Sequence, residues 1–331
     1  MENLPFLCRS KSEQLMNSLG KKGEDFVFIL NYKLDQCLIC PPDQAAKMGF
    51  YYKFDHRTNS PLTEEKNKAF ISQPKFIPPS FDKYSYAFEK VMEEIIAGNT
   101  YLINLCFQSR LKSPVDFDQI MDHASSKYKV LLKEKFISFS PETFVKITDG
   151  KIHTHPMKGT ISANLNNADQ ILLNDKKELS EHYTIVDLLR NDLSISAKNI
   201  RVEQFRYLSK IQSGERSLYQ TSSHITGKLP NNYTEQLGTI LFGMLPAGSI
   251  TGAPKVKTME ILDRVELFER GFYTGIAGIF QNGELDSCVL IRFIEKEDNA
   301  YFYKSGGGIT FLSKLKDEYE ELIEKIYVPF A

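Results

Sequence analysis

The sequence predicts an α+β fold: two packed antiparallel β-sheets with outer helices. Three observations carry this expectation. Apolar, strand-like runs turn through Asp149-Gly150 and Asn282-Gly283, dipeptides that suit the tight turns between antiparallel strands. Helical patterns are interspersed without strand–helix alternation, which argues against a parallel sheet. The 331 residues, 42% apolar and 25% charged, suffice for a sizeable core in a globular chain.

Residues 1–79 read as a short N-terminal part contributing strands to the same domain as 80–331. Within it, DFVFILNY (25–32) is strand-like. CLIC (37–40) has CxxC spacing but lies in an apolar run with no second pair to complete a zinc site. The five scattered cysteines are an odd number, so reduced core thiols are expected. SQPKFIPPS (72–80) reads as a linker, because proline fixes φ and removes a donor. Tyr84, Phe88, Val91, Met92, Ile95 and Ile96 then mark one helical face, stopped by Gly98-Asn99 and followed by an apolar strand.

The run FISFSPETFVKITDGKIHTHPMKGT (136–160) predicts a hairpin about Asp149-Gly150, with Ile147 opposite Ile152. That register puts Glu142 opposite Met157, one position short of Lys158. A one-residue bulge at Pro156, which cannot join a ladder, is expected to bring Glu142 and Lys158 to one face. A helix follows from about Asp175 to Arg190, then another from Pro254. A strand pair turns at Asn282-Gly283, AYFYKSGGGIT (300–310) gives a further strand, and an acidic helix closes the pattern at KDEYEELIEKIY (316–327).

The 41 basic residues nearly balance the 42 acidic ones, so no global field draws nucleic acid or an anionic membrane. No stretch approaches the roughly 20 apolar residues that span a bilayer, and no apolar leader is seen. A cytoplasmic protein is expected.

Several residues could carry chemistry. Lys158, delivered into Gly159-Thr160, is either a solvated charge or an amine held where backbone approaches a ligand. Glu178 with Glu181, and Glu318 with Glu321, stand at i, i+3 spacing. Each pair could be a solvated helix face, or two pairs together could offer oxygens to a hard cation such as Mg²⁺. AGSITGAPKVKTMEIL (247–262) sets small residues before helix amides that could bind an anion, without Walker spacing. Gly306, Gly307 and Gly308, a second glycine run, could let backbone amides approach a carboxylate or phosphate. Arg292 falls in the strand-like VLIRF, where an arginine is usually paired or faces a site. His224 reads as a sheet histidine, and His153 and His155 as surface residues without a third metal partner. The GxSxG elbow of serine hydrolases is absent.

Taken together, SPETF, HPMKGT, KELSEHYTIVDLLRND, PAGSITGAPKVKTMEIL, RGFYTGIAGIF, LDSCVLIRF, KSGGGI and DEYEELIEK follow the order and spacing of one family. The chain resembles the chorismate-utilising enzymes over roughly residues 80 to 327. That family includes anthranilate synthase component I, isochorismate and salicylate synthases, and aminodeoxychorismate synthase component I. The resemblance implies that 80–331 is the chorismate-binding catalytic region.

Lysine in the PMKGT motif resembles the aminodeoxychorismate branch, where most others carry alanine. It implies that Lys158 attacks C2 of chorismate while Glu142 protonates the leaving C4 hydroxyl, and that ammonia then enters at C4 for p-aminobenzoate and folate synthesis. A nucleophilic lysine needs its pKa lowered by burial or a nearby cation, so that change is expected of Lys158. The resemblance further implies an Mg²⁺ site of Glu178, Glu181, Glu318 and Glu321, with Glu181 and Glu321 foremost as direct ligands. It implies substrate binding by Thr160, Tyr273, Arg292, the Gly306–Gly308 amides and Lys325, and an active-site histidine at His224. No glutamine-hydrolysing triad is visible, so ammonia from a separate glutaminase subunit is expected.

Departures from the family pattern narrow the choice. Leu102 stands where isochorismate formers have a lysine base, which counts against that branch. ISANLNN (161–167) replaces an arginine-rich stretch. The front is shorter than in common members and lacks a tryptophan-binding motif, so tryptophan feedback is not expected. Anthranilate synthase component I and a chorismate-binding regulator without turnover are the alternatives.

Overall fold

The computed structural model describes residues 4–60, 72–213 and 216–330. Along the chain, α1 (Arg9–Lys22), β1 (Phe26–Leu30), β2 (Cys37–Cys40), α2 (Pro42–Ala45), β3 (Phe50–Phe54), β4 (Arg57–Thr58) and β5 (Phe76–Ile77) precede α3 (Phe81–Ile96). The middle holds β6 (Leu102–Leu111), α4 (Phe117–His123), β7 (Tyr128–Leu132), β8 (Phe136–Ser138), β9 (Thr143–Thr148), β10 (Lys151–Thr154), β11 (Met157–Ser162), α5 (Ala168–Asn174) and α6 (Lys176–Ser194). There follow β12 (Lys198–Ser213), β13 (Arg216–Lys228), α7 (Leu237–Met244), α8 (Gly248–Thr251), β14 (Gly252–Ala253) and α9 (Lys255–Val265). Last come β15 (Ile276–Gln281), β16 (Glu284–Val289), β17 (Phe293–Glu297), β18 (Ala300–Ile309) and α10 (Leu315–Glu324).

Two antiparallel sheets form, as expected. One runs β11-β13-β10-β9-β16-β15-β1-β2, with β12 beside β13; the other runs β14-β6-β18-β17-β8-β7-β3-β4, with β5 beside β6. Apolar residues from both, such as Val27, Ile29 and Ile279 of the first and Phe50, Val130 and Phe293 of the second, share one core. A second core joins the outer face of the first sheet to α1, α6 and α7, through Met16, Leu189 and Leu241 among others. A third joins the other sheet to α3, α9 and α10 through Tyr84, Ile261 and Leu322. Among the described residues, no helix is long and apolar enough to cross a membrane.

The β9–β10 hairpin has the predicted register, Ile147 opposite Ile152, with Asp149 and Gly150 both at positive φ. Cys37 and Cys40 are free and buried in β2. Three local expectations differ. The linker contains β5, whose Phe76 pairs with Leu111, so two residues between its prolines still reach a sheet edge. Ile96 is exposed, since the buried face of α3 is Tyr84, Ala87, Phe88, Val91 and Ile95. The glycine run lies in a strand, as expected for 300–310: Gly306, Gly307 and Gly308 pair with Cys106, Leu105 and Asn104 of β6. Arg292 lies in the connection before β17, at φ 52°, rather than inside a strand.

Candidate active site

The site lies where β11, at the edge of one sheet, meets β6 and β18 of the other, under α6 and α10. The bulge that shapes it is not at Pro156. β11 leaves the hairpin and pairs with β13, and its register slips between Lys158, opposite Thr221, and Thr160, opposite Gln220. Gly159, between them, has φ 76°, and a Cβ there would stand 2.8 Å from Glu178 Oε2 and 3.0 Å from Leu172 Cδ1. Only glycine allows both that backbone and that approach. The Thr221 hydroxyl donates to the Lys158 carbonyl, fixing the strand beside the slip.

Lys158 therefore points under α6. Its ammonium is 3.4 Å from Glu181 Oε2, and the two side chains are 23% and 12% exposed. It also reaches the second sheet, since a Cβ on Gly308 would lie 3.3 Å from Lys158 Nζ. Burial pulls the Lys158 pKa down, but Glu181, Glu321 and Glu178 together push it above the ordinary lysine value. The expected lowering is thus reversed, because three carboxylates outweigh desolvation.

Asp175 starts α6 by accepting the Glu178 amide at 3.0 Å, a side-chain cap that aims the first turn and its carboxylates. From there Lys177 reaches Glu318 Oε1 of α10 at 3.0 Å and Glu181 Oε1 at 3.8 Å. Glu321 pairs with Lys325 at 2.7 Å, and Lys325 also donates to the Gly306 carbonyl at 3.1 Å. Burial, then repulsion from Glu181, raises the Glu178 carboxyl. Burial would raise Glu321 too, but Lys325 and the other lysines hold it below the usual range.

Glu142 sits just before β9, turned away from the hairpin ladder. Its carbonyl accepts the Val289 amide at 3.2 Å, and its Oε1 accepts the Ser249 hydroxyl of α8 at 2.8 Å. Burial raises its pKa, while Ser249, Lys158, Arg292 and Lys325 only partly offset the rise. The carboxyl thus keeps a proton further up the pH scale than an exposed glutamate. The α8 segment that presents Ser249 is tied to α6: Asp192 accepts the Gly248 amide at 3.3 Å and pairs with Lys255 at 2.7 Å.

Arg292 immediately precedes Phe293, the residue of β17 opposite Lys304. Beyond that pair β18 has a sheet neighbour on the β6 side only, so the glycine strand is open on the side where Arg292 stands. The Arg292 guanidinium lies over the Tyr327 ring, 5.4 Å from its centroid, and its Nε is buried without a hydrogen-bond partner. Such an orphaned cationic donor suits an anionic group not supplied by the chain. Tyr273 is buried against Phe293, and Thr160 is exposed on the edge strand.

His224 is placed elsewhere. Its Nε2 is 3.1 Å from His153 Nδ1, and its ring stacks on His155 with centroids 4.5 Å apart. Ser223, the next residue back, meets His182 of α6 at 2.6 Å, so alternation along β13 turns His224 away from α6. His153 and His155 are correspondingly part of a ring cluster rather than isolated surface residues. Ser249 and Lys177 escaped the sequence reading: the first lies in a run of small residues, the second among solvated lysines.

The four carboxylates are hard oxygen donors facing each other from two helices, which suits Mg²⁺ chemically. Among the described residues, however, no three His, Cys, Asp or Glu side chains stand close enough to ligate one ion. Glu181 and Glu318 converge instead on lysines. The donor set fits a divalent cation in its chemistry, while the carboxylates are held apart on their lysine partners.

The family described as chorismate binding enzyme matches residues 38–330. The chain is 43% identical to an uncharacterized PabA-like protein of Haemophilus influenzae, over 95% of this chain and 94% of that one. It is 32% identical to aminodeoxychorismate synthase component 1 of Bacillus subtilis, over 76% of this chain and 55% of that protein. The menaquinone-specific isochorismate synthase of Escherichia coli has a similar fold, with TM-score 0.72 at 16% identity over 97% and 81% of the two chains.

Proposed function

The chain belongs to the chorismate-binding enzyme family, and from that premise we propose that it aminates chorismate at C4, as component I of an aminodeoxychorismate synthase. The observation that supports this reading is Lys158, mostly buried, beside Glu181 and facing the Gly308 backbone, with the protonation-prone Glu142 in its electrostatic reach.

The steps balance as a substitution of water by ammonia. The Lys158 amine forms a bond to C2, both ring double bonds shift along the diene, and the C4 hydroxyl leaves as water with the proton of Glu142. Ammonia then bonds to C4, both double bonds shift back, Lys158 leaves C2 as the neutral amine, and the surplus proton of the new ammonium returns to Glu142. Arg292, Lys325 and the open edge of Gly306–Gly308 would hold the substrate carboxylates. Mg²⁺ on Glu178, Glu181, Glu318 and Glu321 would bind the ring carboxylate and neutralise the oxygens that keep Lys158 protonated. Ammonia would come from a glutaminase subunit, with free ammonium as a substitute.

The test is chromatographic identification of the product from chorismate, Mg²⁺ and excess ammonium in mildly alkaline buffer, for wild type and Lys158→Ala. Aminodeoxychorismate from the wild type, lost or greatly slowed in the variant, is expected. Anthranilate as the product, or full activity in Lys158→Ala, would overturn the proposal.

A further inference from the structure

Among the described residues, Lys177 is the cation ion-paired directly to acidic residues of both α6 and α10. It rises from the first turn of α6, donates to Glu318 Oε1 at 3.0 Å and stands 3.8 Å from Glu181 Oε1. Among the described residues, no other hydrogen bond or ion pair joins α6 to α10. Its side chain is 36% exposed while that of Glu318 is 2% exposed, so the stem comes in from the rim and the ammonium sits inward.

A dication ligated from both helices must lie between the same oxygens, and an ammonium and a dication cannot share that space. We propose that Lys177 is a tethered cation that holds the place between Glu181 and Glu318, fixes α6 to α10 while no metal is bound, and must swing out to the rim before a divalent cation enters. The inference rests on the reading of these carboxylates as a metal site and goes beyond it. Lys177 acts through Glu181 and Glu318, as a positioning residue. It keeps four carboxylates from forcing the helices apart, at the expense of metal affinity in the absence of substrate. The flexible stem of a lysine allows this exchange more readily than the planar fork of an arginine.

The test uses the full chain without chorismate and with Mn²⁺ alone as probe, followed by its electron paramagnetic resonance signal, beside thermal unfolding in a chelator. In Lys177→Met, Mn²⁺ should bind on the order of tenfold tighter or more, because a competing charge has gone from contact distance. The same variant should melt lower than wild type in the chelator and recover with Mn²⁺. Lys176→Met, which removes the same charge from the exposed neighbouring position, should bind Mn²⁺ as wild type does. Lys177→Arg, with two parallel donors for the two carboxylates, should bind it several-fold more weakly; this arm stands even should Lys177→Met fail to fold.

Unchanged or weaker binding in Lys177→Met, equal tightening in Lys176→Met, or wild-type affinity in Lys177→Arg would each overturn the inference. Wild type that binds no Mn²⁺ would overturn it together with the metal reading. Mn²⁺ binding as expected, without amination of chorismate, would leave the role of Lys177 standing and remove only the proposed reaction.

Discussion

Two adjacent glycines of β18 should respond oppositely to alanine. A Cβ on Gly306 would lie 2.5 Å from Cys106 Sγ and 2.9 Å from the Leu105 carbonyl. The carbonyl belongs to the paired strand β6, which cannot move away without breaking the ladder, so Gly306→Ala should cost about 1–3 kcal/mol of stability, the usual penalty for overpacking. A Cβ on Gly307 would meet only Lys325 Nζ at 3.7 Å and Glu318 Oε2 at 3.9 Å, both ordinary contacts. With a strand-compatible backbone, Gly307→Ala should be neutral or stabilise by about 0.4–1 kcal/mol, through the lower entropy of the unfolded chain. Its methyl, however, enters the space between Lys325 and Glu318 where the substrate carboxylate is proposed to lie. The same overpacking, now met only by substrate, is about 1–3 kcal/mol, or roughly 5- to 150-fold in KM for chorismate. Urea unfolding and steady-state kinetics on the two variants measure both quantities. A Gly307→Ala protein as unstable as Gly306→Ala, or one with unchanged KM, would refute the placement of the substrate against this strand.

Ser249→Ala removes the hydroxyl that pulls the Glu142 pKa down. Glu142 must be protonated to act as the acid, so the basic limb of the kcat profile should move to higher pH, and a profile that stays put or moves lower would contradict the assignment. Asp192→Ala removes the ion-pair partner of Lys255, which keeps its bond to the Met244 carbonyl, and frees the Gly248 amide; loss of about 1.5–3 kcal/mol in urea unfolding is expected for a charge-assisted hydrogen bond, and a cost below 1 kcal/mol would show that the clamp is dispensable. Burial first, then His224 and nearby lysines, push His155 from 6.5 down to about 4. The unfolded chain then takes up the proton first, so this contribution to stability is complete above pH 6.5 and is lost as pH falls towards about 4. His155→Phe should flatten the acid side of the stability curve, and an equally steep curve would exclude His155 as its source.

What the sequence made legible was local. Asp149-Gly150 and Asn282-Gly283 set their hairpins because turn conformation and flanking register depend on a few neighbouring residues. The bulge beside Lys158 was misplaced because it depends on β13, more than sixty positions along the chain, and on the approach of Glu178 and Leu172 to Gly159. Pro156 gave a plausible local cause, but the tertiary contact decided the matter. The strand over 300–310 was legible from its own pattern, but the reason for glycine within it was not. Gly306 is glycine because the Cys106 side chain and the Leu105 carbonyl fill the place of a side chain, a crowding that leaves no mark in its neighbours. His224 shows the period-2 limit from the other side: alternation would have separated it from Ser223, but nothing in the sequence told which of the two faced α6.

The charges of the site were legible as residue types, and their net effect was not. Burial alone predicts a lowered lysine pKa, and the chemistry assigned to Lys158 asks for one. In the folded chain Glu181, Glu321 and Glu178 surround it and reverse the sign. Because those carboxylates come from α6 and α10, the state of Lys158 is tied to whatever cations sit between the helices. Lys177 neutralises part of Glu181 and Glu318 from one side, while Lys325 does the same for Glu321. An amine at Lys158 therefore requires that the carboxylates find further positive charge elsewhere. The same helices that raise the pKa of the proposed nucleophile are thus the ones through which a bound dication would lower it, which couples the two proposed roles more tightly than their separation along the chain suggests.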